Sequence, residues 1–100
     1  MILYFHGNAE SAEIAQDTMG EISNHLNCSI IGMEYAGYGF YKDNGSASEA
    51  KIKEDAETVF RFILQQTEFK AEDILVFGRS MGSGPACFLA GNFKLGGLIV

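Results

Sequence analysis

The sequence predicts an α/β fold, with a parallel sheet of about four strands joined by crossover helices. Four short apolar runs recur, at 2–5, 30–35, 74–77 and 98–100, each bounded by glycine or polar residues. They are nearly continuous rather than alternating, as expected of strands covered on both faces. Between them lie stretches with apolar residues at helical spacing. Strand and helix in alternation imply right-handed crossovers between parallel neighbours.

Taken in order, the first strand is Ile2-Leu3-Tyr4-Phe5. A helix over about 9–26 follows, with Ile14, Met19, Ile22 and Leu26 on one face. After the second strand, Asp43-Asn44-Gly45-Ser46 reads as a turn leading into a helix cap. The longest helix is expected over 46–66, opened by a capping box of Ser46 and Glu49. Its apolar stripe is Ile52, Ala56, Val59, Phe60, Ile63 and Leu64. The third strand leads into a helix over 83–90, with Pro85 near its first turn, where a missing N–H is tolerated.

One hundred residues allow at most one small domain. The chain opens directly into a buried-type strand and stops within another, so residues 1–100 are expected to be the N-terminal part of one domain. Hydrophobic residues make up 47% and charged residues 20%, a normal globular balance. The formal charge of −6 opposes phosphate backbones and anionic headgroups, which argues against a nucleic-acid partner. No apolar run approaches the roughly 20 residues of a membrane span, and the N-terminus lacks a signal peptide's basic flank. Cys28 and Cys87 form no dense framework, and are expected as reduced thiols in a cytoplasmic protein.

The chemistry centres on Gly78-Arg79-Ser80-Met81-Gly82, a Gly-x-Ser-x-Gly motif directly after a strand and before a helix. Such a turn holds the serine in a strained conformation and pushes its hydroxyl out at the carboxyl edge of the sheet. Glycines two before and two after keep Cβ atoms out of the crowded crossing. The helix that follows aims its N-terminal dipole at a reacting carbonyl oxygen. Ser80 is therefore the candidate nucleophile.

His6-Gly7-Asn8 follows the first strand, where a strand-to-helix loop supplies a second oxyanion donor. The backbone N–H groups of Asn8 and Met81 are the expected oxyanion hole. His6 is read as bonding nearby backbone and shaping its loop, not as the catalytic base. His25 is read as a surface residue.

Three stretches, His6-Gly7-Asn8-Ala9, Glu34-Tyr35-Ala36-Gly37-Tyr38-Gly39 and Gly78-Arg79-Ser80-Met81-Gly82-Ser83-Gly84-Pro85, resemble the α/β-hydrolase superfamily. The similarity is to the branch of α/β-hydrolase domain-containing proteins 13 and 17 and the related serine aminopeptidase-like hydrolases. Glu34 stands where that branch has aspartate. The resemblance covers essentially the whole chain, but only the first part of a domain of about 200–250 residues. It implies strands in the order second, first, third, fourth. It also implies an acyl ester or thioester substrate, since relatives of the domain-17 type are protein depalmitoylases. A palmitoylated protein is thus the leading substrate class.

The triad of this fold runs Ser, then Asp or Glu, then His along the chain. No Asp, Glu or His occurs from Met81 to Val100. The base and its orienting acid are expected beyond Val100, and residues 1–100 alone are expected to be poorly active.

Milder readings attach to other residues. Arg79 contacts substrate, holds a neighbouring loop or pairs with an acidic group such as Glu34. Tyr35 and Tyr38 wall an acyl pocket or pack at a glycine turn. Cys87 reads as buried packing. Among rival functions, a nucleotide-binding module fails because Gly82-Ser83-Gly84-Pro85-Ala86-Cys87 misses the dinucleotide fingerprint and no Gly-Lys-Ser/Thr occurs. His6 and His25 match no metal-ligand spacing, so neither cofactor nor metal is expected. The stronger rival is a non-catalytic truncated relative, a binding module or a remnant. An Asp and a His in later strands would favour the enzyme, and their absence the rival.

Overall fold

Four runs of β-branched, aromatic and other apolar residues pair into a single sheet in the computed structural model, which describes residues 1–7, 15–35 and 48–100. The strands are β1 (Ile2–Phe5), β2 (Ile30–Met33), β3 (Leu75–Gly78) and β4 (Gly97–Ile99). All three pairings are parallel, in the order β2-β1-β3-β4. Both the parallel sheet and its strand order match expectation. The central strand β1 is buried along its whole length, which explains its unbroken apolar run.

Side chains alternate across the sheet. Leu3 and Phe5 of β1 and Val76 of β3 join one cluster with Ile52, Ala56, Phe60 and Ile63 of α2 (Glu49–Gln66) and Ala86 and Leu89 of α3 (Ser83–Asn92). The expected stripe on the long helix is therefore the core-facing one. On the other face Tyr4, Gly32, Phe77 and Ile99 lie in register. There α1 (Gln16–Leu26) sets Met19 over Gly32. None of the residues of α1 is fully buried, and Leu26 is exposed although it shares the apolar stripe.

The start of the long helix differs from expectation. The long helix starts at Glu49, capped by Ser48, whose side chain accepts from the Lys51 N–H at 3.1 Å. Glu49 is thus the first helical residue and not the third, as a capping box with Ser46 requires; Ser46 itself lies outside the described residues. Ser48 has the same chemistry as Ser46, so the pattern offered two caps two residues apart. The first part of the first expected helix, including Ile14, also lies outside the described residues. Among the described residues no helix is long and apolar enough to cross a membrane.

Candidate active site

β3 runs beside β1 to its end, where the Arg79 N–H donates to the Phe5 carbonyl at 3.1 Å. Arg79 is still extended, and then the chain reverses. Ser80 has φ of 54°, in the left-handed region that a residue with a Cβ rarely adopts. A 3₁₀ turn over Ser80–Gly82 closes with the Gly82 N–H donating to the Arg79 carbonyl at 2.9 Å. The Ser83 hydroxyl donates to the Ser80 carbonyl at 2.7 Å, and α3 begins. Asn27, the other described non-glycine residue with positive φ, ends α1 in the left-handed cap that helices commonly use. Ser80 has no such helix-ending role.

Glycine is required on both sides of this serine. A Cβ on Gly78 would clash with the Gly82 carbonyl and come within 2.8 Å of the Ala86 methyl. A Cβ on Gly82 would clash with the Phe5 carbonyl and come within 2.9 Å of the His6 carbonyl oxygen. The turn therefore sits directly on the end of β1. Its serine is exposed while both glycines are buried.

Beyond β1, His6 is the one charged or polar residue that is buried among the described residues, at 1% exposure. Its Nδ1 lies 2.8 Å from the Gly7 carbonyl oxygen, and its Nε2 lies 2.8 Å from Glu34 Oε1. Glu34 Oε1 also accepts the Tyr35 N–H at 3.0 Å. The Tyr35 hydroxyl donates to the His6 carbonyl at 2.8 Å, and the two rings lie 4.1 Å apart between centroids. His6 thus bonds its own loop, as expected. Its pairing with Glu34 was not foreseen. The signal lay in the register: Phe5 pairs with Met33, so the next residue of each strand comes side by side.

Tyr35 is fully buried and tied to His6, so it packs at the strand end. Tyr38 and Asn8 lie outside the described residues. Met81 follows Ser80 directly and packs half-buried against the core. His25 is exposed, its Nδ1 donating to the Glu21 carbonyl at 2.9 Å. Cys87 is exposed, against the expectation of packing, because it falls on the outer face of α3 while Ala86 and Leu89 take the inner one. A cavity of about 310 Å³ opens between the start of α2 and the serine turn. Ile52, Lys53, Met81 and Pro85 are among its walls, which are mainly apolar.

A parallel sheet in this order, with helices packed against it and a serine turn at the carboxyl end of β3, is the arrangement of part of an α/β-hydrolase fold. The chain is similar over nearly its whole length to curated proteins of that description, as its three motifs implied. It is 28% identical over 99 residues to the α/β hydrolase domain-containing protein aho-3 of Caenorhabditis elegans, covering 99% of this chain and 29% of that one. It is 25% identical over 100 residues to α/β hydrolase domain-containing protein 17B of Homo sapiens, covering 34% of it. For protein 17C of Xenopus tropicalis the identity is 27% and the coverage 31%. The chain thus spans about a third of the length of these relatives. No family model matches it, and no solved structure matches it significantly.

Proposed function

We propose that this chain is the N-terminal part of a serine hydrolase domain and that Ser80 is its nucleophile. The observation that carries the reading is the left-handed φ of an exposed serine held between two obligatory glycines. Strain of that kind costs about 1–3 kcal/mol and clusters at sites where geometry serves a reaction. The Ser80 hydroxyl attacks an acyl carbonyl, and the N–H groups of Met81 and Asn8 receive the negative oxygen of the tetrahedral intermediate. A histidine takes the serine proton, and an acid orients it. Neither follows Ser80 within these residues, so both are assigned to sequence outside them.

The substrate is read as an acyl ester or thioester. The apolar cavity beside Met81 accepts an alkyl chain next to the reacting carbon. Similarity to proteins of the domain-17 type points the same way, toward a fatty thioester on a protein. The test is labelling by a fluorophosphonate probe of the protein in the longest form its gene encodes. Ser80→Ala should abolish labelling and Cys87→Ala should leave it intact, and acyl thioesters should be turned over by the labelled form. Undiminished labelling of Ser80→Ala would remove the assignment.

A further inference from the structure

Gly20 of α1 and Gly84 and Gly91 of α3 are helical glycines at which an added Cβ would meet nothing within 4 Å beyond their own helix. Glycine in a helix is less stable than alanine, because its unfolded chain has more freedom to lose. At Gly78 and Gly82 crowded backbone accounts for the residue, whereas at Gly84 no packing against another element does. Of the three open glycines, Gly84 is the one that lines the cavity between α2 and the serine turn. We propose that Gly84 is a specificity-determining residue, bare of a side chain so that the substrate's acyl chain lies along the backbone of α3. The role deepens the hydrolase reading and rests on it, with Ser80 as the nucleophile and this cavity as the place of the acyl chain.

The path follows from the spacing of the residues. Met81, next to Ser80, leads to Gly84 at the start of α3, and Phe88 lies one helical turn further. From α2, Glu49, Ile52 and Lys53 line the cavity at the same three- and four-residue spacing. Lys53 crosses from one helix to the other: its Nζ pairs with Glu49 Oε1 at 2.7 Å and stands 5.8 Å from the centre of the Phe88 ring. A chain entering past Met81 therefore meets α3 at Gly84 before it reaches this crossing. A wall of bare backbone there fits an unbranched alkyl chain, and a side chain at position 84 would take up the same space. Pro85 offers a local reason for glycine, since proline crowds a Cβ on a helical residue just before it. That reason predicts a loss of stability with no change in selectivity.

The test is inactivation of the longest encoded form by an ethyl and an octyl fluorophosphonate, with kinact/KI measured for each. The octyl probe should be the faster on the unaltered protein. Gly84→Leu should slow it about tenfold or more and leave the ethyl probe at its former rate. Gly84→Ala should shift the ratio of the two rates in the same direction by less. Gly91→Ala, on the same helix but outside the cavity, should leave the ratio alone. Equal slowing of both probes by Gly84→Leu, or an octyl rate that holds or rises, would overturn the role. Should Gly84→Leu not fold, Gly84→Ala decides by the same ratio. A lower urea midpoint for Gly84→Ala with the ratio unchanged would assign the glycine to Pro85 instead. Labelling that persists in Ser80→Ala would remove the nucleophile reading, and this role with it. Loss of labelling there, with Ile52→Phe moving the ratio and Gly84→Leu leaving it in place, would remove this role alone.

Discussion

Gly82 lies directly on the backbone of Phe5, so closely that a methyl group in its place would come within 2.6 Å of the Phe5 carbonyl carbon. This contact couples the serine turn to the end of β1, the strand whose exit leads to His6. Gly82→Ala must push the two apart. Overpacking of that kind costs about 1–3 kcal/mol, and backbone on both sides leaves little to yield. Urea denaturation should show a lower midpoint, and labelling of Ser80 should slow because the turn moves. An unchanged midpoint would mean that the contact relaxes without cost.

Ser80→Gly should make the protein more stable while removing its reactivity. A side chain in the left-handed region costs roughly 1–2 kcal/mol, and glycine escapes that cost but loses about 0.5–1 kcal/mol to its freer unfolded chain. The expected net gain is about 0.5–1 kcal/mol, read as a rise in the denaturation midpoint. Destabilisation by Ser80→Gly would show that the hydroxyl or Cβ makes contacts worth more than the strain.

The sheet and its order were legible because each strand is an uninterrupted apolar run, and the serine turn because its glycines are fixed by contacts of a few ångströms along the chain. The Ser48 cap was missed for a local reason: Ser46 and Ser48 offer the same hydroxyl, and only the folded chain chooses. Cys87 was misplaced because α3 is apolar on both sides, so periodicity did not mark its outer face. The pairing of His6 with Glu34 spans 28 residues and depends on strand register, which no local pattern encodes. Leu26 shows the converse, a residue on the apolar stripe that the described neighbours leave exposed.

Phe60→Ala should be among the most damaging substitutions outside the turn. Its ring is fully buried, joins the cluster beneath the sheet and lies 4.7 Å from that of Phe93. Truncating such a ring costs about 3–5 kcal/mol, a large share of the 5–15 kcal/mol that holds an ordinary domain together. Phe62, two residues along and 60% exposed, is the control. Phe62→Ala should move stability by no more than about 0.5 kcal/mol. Equal effects of the two, measured by urea denaturation, would mean that α2 docks by a different face.

Chain-length preference should respond to Ile52. This residue is 7% exposed, and it lines the same cavity as Met81, the neighbour of Ser80 in sequence. An acyl chain bound there would run from the serine past Met81 and Pro85 toward the first turn of α2. Ile52→Phe adds volume at the cavity wall and shortens the space open to the chain. In an apolar pocket one methylene gained or lost is worth about 1–3 kcal/mol, or 10–200-fold in rate. Inactivation of Ser80 by a long-chain alkyl fluorophosphonate should therefore fall about tenfold or more, while an ethyl fluorophosphonate should react at its former rate. The short probe also guards against a trivial cause, since a general disturbance of the turn would slow both. Equal slowing of the two probes, or none, would place the acyl chain somewhere other than this cavity.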